Sequence, residues 1–185
     1  MTRDGRQMIQ TPTIPARLYI LCGLPFAGKS TLALALARRF GWVIISIDAI
    51  NHERGLGQNA TPITLAQWDE TYAEAYHRLS AALAAQQTVI FDAVSFTRTQ
   101  RDDLRAIAAE RGAATRVIYL DAPVAVCRGR WLDNRATGAR SDVREEDFEH
   151  VVTRFEPPLA SEDPLIYDQS EAAHCWIERT FGGFV

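Results

Sequence analysis

Five short runs of mostly apolar residues, at 18–22, 42–47, 88–91, 115–120 and 165–167, alternate with longer stretches in which apolar positions recur every three or four residues. The runs are too short for helices and lack the alternation of a half-solvated sheet, so they predict strands covered on both faces. The longer stretches predict helices. One spans 29–40 and stops at Gly41, a residue type that commonly ends helices. Thr64-Leu65-Ala66-Gln67 and Thr97-Arg98-Thr99-Gln100 carry the Thr-x-x-Gln spacing, in which the two side chains satisfy otherwise unpaired amides of a first turn. They open helices reaching about residue 86 and the vicinity of Gly112. Further helices are predicted after Pro123 to about 134, over 143–154 behind Ser141-Asp142, and from Ser170 onward. In the 64–86 helix, Trp68, Tyr72, Ala75, Tyr76, Leu79 and Leu83 fall on one stripe, read as core. Strands alternating with helices at this spacing predict a three-layer α/β fold with a parallel sheet. Residues 1–16, with Pro12 and Pro15 and no period, read as a flexible arm, and 17–185 as a single domain.

Composition narrows the class. The 185 residues are 47% hydrophobic and 23% charged, the usage of an ordinary globular chain and not of a disordered or collagen-like one. No apolar run approaches the roughly 20 residues of a membrane span, and residues 1–10 hold no apolar stretch suited to a secretory signal. A cytoplasmic protein with no membrane partner is expected. Cys22, Cys127 and Cys175 have no CxxC spacing, so buried free thiols are expected and neither a disulfide framework nor a zinc site. The 20 basic and 23 acidic residues give a net charge of −3, which disfavours a surface that wraps nucleic acid.

Chemistry first becomes visible at Gly23-Leu24-Pro25-Phe26-Ala27-Gly28-Lys29-Ser30, which fits G-x-x-x-x-G-K-[ST] between a buried strand and a helix. Glycines at both ends let successive amides turn inward on a polyphosphate, and the following helix adds its positive end. Residues 23–31, through Thr31, are therefore expected to bind ATP, with Lys29 at the β- and γ-phosphates and the Ser30 hydroxyl at Mg²⁺.

Ligands of open α/β sheets sit at the carboxyl ends of the strands, which directs attention to Asp48 and Asp92. Asp92 follows the third strand and is expected to orient Mg²⁺ through its waters, or to cap a loop. Asp48 follows the second strand and is read as accepting a proton from an acceptor hydroxyl, as hydrogen-bonding the substrate, or as structural. Between the fourth and fifth strands, Arg128, Arg130, Arg135 and Arg140 are interleaved with Gly129 and Gly138, the makings of a closing lid over 124–142. Arg128 and Arg135 are seven apart and share a helical face, with Arg130 turned away. The first two are favoured as catalytic.

With these parts in place the chain resembles the AAA_33-type P-loop kinases, near the polynucleotide 5′-hydroxyl kinases and chloramphenicol phosphotransferases, over about residues 17–170. Tyr119-Leu120-Asp121-Ala122-Pro123, Asp142-Val143-Arg144-Glu145-Glu146-Asp147-Phe148 and Phe155-Glu156-Pro157-Pro158 look like that group's second half. The resemblance implies strand order 2-3-1-4-5, a base at Asp48, phosphate-binding arginines within 128–140 and an acceptor-side region at 51–86. Polynucleotide kinases carry arginine before that acid, where this chain has Ile47. The leading expectation is an ATP- and Mg²⁺-dependent kinase acting on a hydroxyl of a small molecule. The alternatives are a polynucleotide 5′-hydroxyl kinase, with nucleic acid as partner, and an acceptor-independent nucleotide hydrolase or switch.

Overall fold

The computed structural model describes residues 16–57, 61–138 and 143–184. Most of the N-terminal arm, residues 58–60 of the acceptor side, and Arg140, Ser141 and Asp142 of the lid lie outside the described residues. The elements run β1 (Arg17–Cys22), α1 (Lys29–Phe40), β2 (Val43–Ser46), α2 (Ile47–Glu53), α3 (Leu65–Ala84), β3 (Val89–Asp92), α4 (Arg98–Glu110), β4 (Ala114–Leu120), α5 (Val124–Thr137), α6 (Glu145–Arg154), β5 (Leu165–Tyr167) and α7 (Ala173–Phe181). All strand pairs are parallel, in the order β2-β3-β1-β4-β5.

The continuous apolar runs are explained by two cores, one on each face of the sheet. Side chains alternate across a strand, so Tyr19 and Leu21 enter one core while Leu18, Ile20 and Cys22 enter the other. On the first face α1 brings Leu32 and Leu36, α5 Trp131, α6 Phe148, and α7 Trp176 and Phe181. There Trp42 stacks between Tyr19 and Phe40, at centroid distances of 4.6 and 4.7 Å. On the second face α3 brings Ala75, Leu79 and Leu83, and α4 brings Leu104 and Ala108. The α3 stripe is core, as its spacing requires. Ala16, counted with the arm from sequence, is buried in this second core.

Both capping boxes form, at Thr64–Gln67 and Thr97–Gln100. Thr64→Ala is expected to cost about 1 kcal/mol and to lower the thermal midpoint by about 2–4 °C, read by circular dichroism. Two expectations are corrected. The segment after β2, for which the sequence predicted no helix, continues directly into α2, because the Ser46 hydroxyl caps that helix by accepting from the Ala49 amide at 3.4 Å. Of the three cysteines, Cys22 and Cys127 are buried but Cys175 is exposed. Among the described residues no helix is long and apolar enough to cross a membrane.

Candidate active site

The loop between β1 and α1 is held open by its glycines. Gly23 has φ 151°, and a Cβ there would lie 2.8 Å from the Leu120 carbonyl oxygen, so the loop leaves the sheet where no side chain fits. Its amide donates to Val94 O at 3.4 Å. A turn follows over Leu24, Pro25, Phe26 and Ala27, closed by the Ala27 amide donating to Leu24 O at 3.1 Å. Gly28, at φ 97°, precedes α1 without any side-chain cap. The first amides of that helix are thus left for an anion.

Lys29 is the single lysine of the chain, and it is only 8% exposed. Its Nζ donates to Gly23 O at 3.1 Å and Leu24 O at 2.8 Å. Burial pulls its pKa below the ordinary range, opposed by the charges of Asp92 and Asp48. Ser30 is half-buried and Thr31 exposed, both in the first turn of α1.

Parallel pairing of β2 with β3 sets Ser46 opposite Asp92. Asp92, the last residue of β3, is buried, near the Ser30 and Ser46 hydroxyls. Burial pushes its pKa up, while the Ser30 hydroxyl and the Lys29 charge pull it back. The neighbouring negative charge of Asp48 pushes it up further. Asp48 itself follows β2, exposed in the first turn of α2. Its charge is also felt at Tyr72 of α3, whose hydroxyl is pushed up to about 12 by burial first, then by Tyr76 and Asp48. Lys29, Ser30, Asp48 and Asp92 therefore share one electrostatic neighbourhood. A buried carboxylate beside a serine hydroxyl at a phosphate loop is a donor set that suits a hydrated Mg²⁺.

The lid arginines lie on two faces of α5, as their spacing implies. Residues 124–137 form one unbroken helix, with Gly129 inside it. The face shared by Arg128 and Arg135 turns to aromatic neighbours: Arg128 pairs with Glu149 and lies 5.3 Å from the Phe148 ring, and Arg135 lies 5.2 Å from the Trp131 ring. Arg130, on the other face, reaches the phosphate loop. Its Nη1 donates to Phe26 O at 3.2 Å and its Nη2 to Gln169 Oε1 at 2.8 Å. The physical reason is the demand of Trp131, buried and stacked 5.1 Å from Phe148, which fixes the rotation of α5. A cavity of about 400 Å³ opens beside the loop, lined among others by Gly28, Thr31, Arg130, Asn134, Tyr167 and Gln169.

Behind the site lies a buried cation that sequence reasoning passed over. Arg101 of α4 is fully buried and donates to Glu162 through Nε at 2.9 Å and Nη2 at 2.8 Å. Its Nη1 reaches Ser95 O at 3.1 Å and Glu156 O at 3.0 Å. It thereby ties the loop after β3 to the segment before β5. The signal was present, since Arg101 stands three and seven positions before the core residues Leu104 and Ala108 and so shares their face.

The AAA_33 family model, described as an AAA domain, matches residues 18–158. Comparison with curated proteins finds no match. A provisionally named kinase from Chloroflexus aurantiacus superposes with a TM-score of 0.74 at 21% identity, covering 91% of this chain and 98% of that one. The APS kinase CysC of Mycobacterium tuberculosis, solved with AMPPNP and APS, gives a TM-score of 0.65 at 16% identity over 91% of this chain and 96% of that one. A chain of the Pnkp1/Rnl/Hen1 RNA repair complex gives 0.65 at 23% identity, over 79% of this chain and 45% of that one. At these identities the likeness is one of fold.

Proposed function

The chain belongs to the AAA_33 family, and on that premise we propose that it is an ATP- and Mg²⁺-dependent kinase that transfers the γ-phosphoryl group to a hydroxyl of a small molecule. The observation that carries the reading is the cluster of Lys29, Ser30, Asp92 and Asp48 at one end of the sheet, a phosphate cradle facing two carboxylates of different exposure. The buried acid and the exposed acid suit different tasks.

Residues 23–31 bind the triphosphate, their amides and the Lys29 ammonium neutralising its charge. On nucleotide binding Lys29 exchanges the carbonyls of Gly23 and Leu24 for phosphate oxygens. Ser30 and Asp92 hold Mg²⁺, which when bound neutralises charge on the β- and γ-phosphates. Asp48 receives the proton of the acceptor hydroxyl as that oxygen bonds to the γ-phosphorus, while the bond to the β–γ bridging oxygen breaks and ADP leaves. Arg130 contacts the phosphate loop itself, at Phe26 O.

The small-molecule class is supported by the acceptor side. The basic residues Arg54 and Arg78 of α2 and α3 and their connection are both ion-paired, Arg54 with Glu70, and Arg78 with Glu53 at 2.7 Å and Glu74 at 2.7 Å. A polynucleotide needs cations left over for its phosphates.

The test is transfer from γ-labelled Mg-ATP to a fractionated small-metabolite pool and, separately, to a 5′-hydroxyl oligonucleotide. Label is expected in a small metabolite. Label on the oligonucleotide makes the protein an end kinase, and inorganic phosphate formed at an equal rate without any acceptor makes it a hydrolase or switch.

A further inference from the structure

The side-chain amide of Gln169 is engaged at both ends. Gln169 lies between β5 and α7 in the left-handed region at φ 64°. Its Nε2 donates to Ala27 O at 2.7 Å, and its Oε1 accepts from Arg130 Nη2 at 2.8 Å. The arginine bond fixes which end of the amide is oxygen, because a guanidinium only donates. Arg130 in turn donates to Phe26 O at 3.2 Å. Two consecutive carbonyls of the phosphate loop are therefore held from the outside, from elements more than a hundred residues away in the chain.

A trans peptide unit is planar, with its N–H directed opposite to its C=O. Holding Ala27 O towards Gln169 turns the Gly28 amide away from Gln169. Gly28, with its left-handed φ of 97°, has no Cβ to resist other orientations of that peptide unit. We propose that Gln169 is a positioning residue for phosphate binding: with Arg130 it clamps the carbonyls of Phe26 and Ala27 so that the amide of Gly28 faces the nucleotide phosphates. Gln169 borders the 400 Å³ cavity, but the two bonds its amide makes are to the loop carbonyl and to Arg130, with one N–H and one lone pair left over. It acts on phosphate affinity and not on recognition of the remainder of the nucleotide. The inference rests on the nucleotide-binding reading given above.

The experiment measures dissociation constants of Mg-ATP and Mg-ADP by calorimetry, and of adenosine by competition, for wild type, Gln169→Ala and Gln169→Glu. Losing one hydrogen bond that orients a backbone unit is expected to weaken ATP and ADP by about 3- to 10-fold, with adenosine unchanged. Gln169→Glu keeps the acceptor for Arg130 but sets a carboxylate oxygen against Ala27 O, so it is expected to lose at least as much as Gln169→Ala. Wild-type affinities for ATP and ADP in both variants overturn the inference. So does an equal loss for adenosine, which assigns Gln169 to the cavity, or full retention in Gln169→Glu alone, which assigns the effect to Arg130. A wild-type protein that binds no nucleotide removes the kinase reading itself and this inference with it, an outcome distinguishable from the others.

Discussion

Asp48→Asn is expected to lower phosphoryl transfer by about 10²- to 10⁴-fold, the range of general-base catalysis, while leaving the affinity for Mg-ATP nearly unchanged. The substitution keeps size and a hydrogen-bonding oxygen, and removes only the carboxylate proposed to take the proton. It is tolerable structurally because Asp48 is exposed and the cap of α2 belongs to Ser46. What stability it loses is the attraction between a carboxylate and a helix N-terminus, about 0.3–1 kcal/mol. Single-turnover transfer separates the chemical step from binding, and calorimetry reports the nucleotide affinity. A transfer rate equal to wild type takes Asp48 out of the chemistry and leaves it an acid of the helix start.

Glu162→Gln is expected to destabilise the fold by about 3–5 kcal/mol, the cost of stranding one partner of a buried ion pair. For a chain of this size that is a fall of about 6–20 °C in the thermal midpoint. The Arg101 and Glu162 side chains are 0% and 1% exposed, so water cannot compensate for the lost charge. Arg101→Met combined with Glu162→Leu is expected to recover much of the loss, since an apolar pair of similar volume avoids the desolvation of two charges. Acid should reveal the same pair. Arg101 first, then Arg105 and the Leu159 amide, outweigh the opposing effect of burial and hold the Glu162 carboxyl down at about 2. A depressed folded-state pKa contributes stability that is fully present above the ordinary glutamate range and is lost as pH falls through about 2. Wild type should therefore weaken progressively between about pH 4.5 and 2, and Glu162→Gln should lack this component in a denaturant titration across that window.

The local code explains what could be read in the sequence and what could not. Gly41, Thr64 and Thr97 mark helix ends because the groups they satisfy lie within a few residues of themselves. The phosphate loop and Asp92 are legible for a similar reason, since a strand, its loop and its helix are contiguous. Helix α2 was missed because its starting signal, Ser46, also ends a strand and was absorbed into the apolar run before it. For the lid arginines, helical spacing shows which residues share a face but not which neighbour that face meets. Trp131 and Phe148 decided that. Gln169 and Glu162 carried no local mark at all, as their partners Ala27 and Arg101 are distant in sequence.

The sheet order also governs when the site can exist during synthesis. β1 sits at the centre of the sheet, and its neighbours are the later strands β3 and β4, through pairs such as Leu18 with Val89 and Cys22 with Tyr119. Gly23 leans on Val94 and Leu120. A ribosome adding about 5–20 residues per second therefore presents the apolar first strand for several seconds before any partner strand has emerged. Over that interval the phosphate-loop motif is present as sequence but not as a binding site. Nucleotide can stabilise the nascent chain only once β4 is in place.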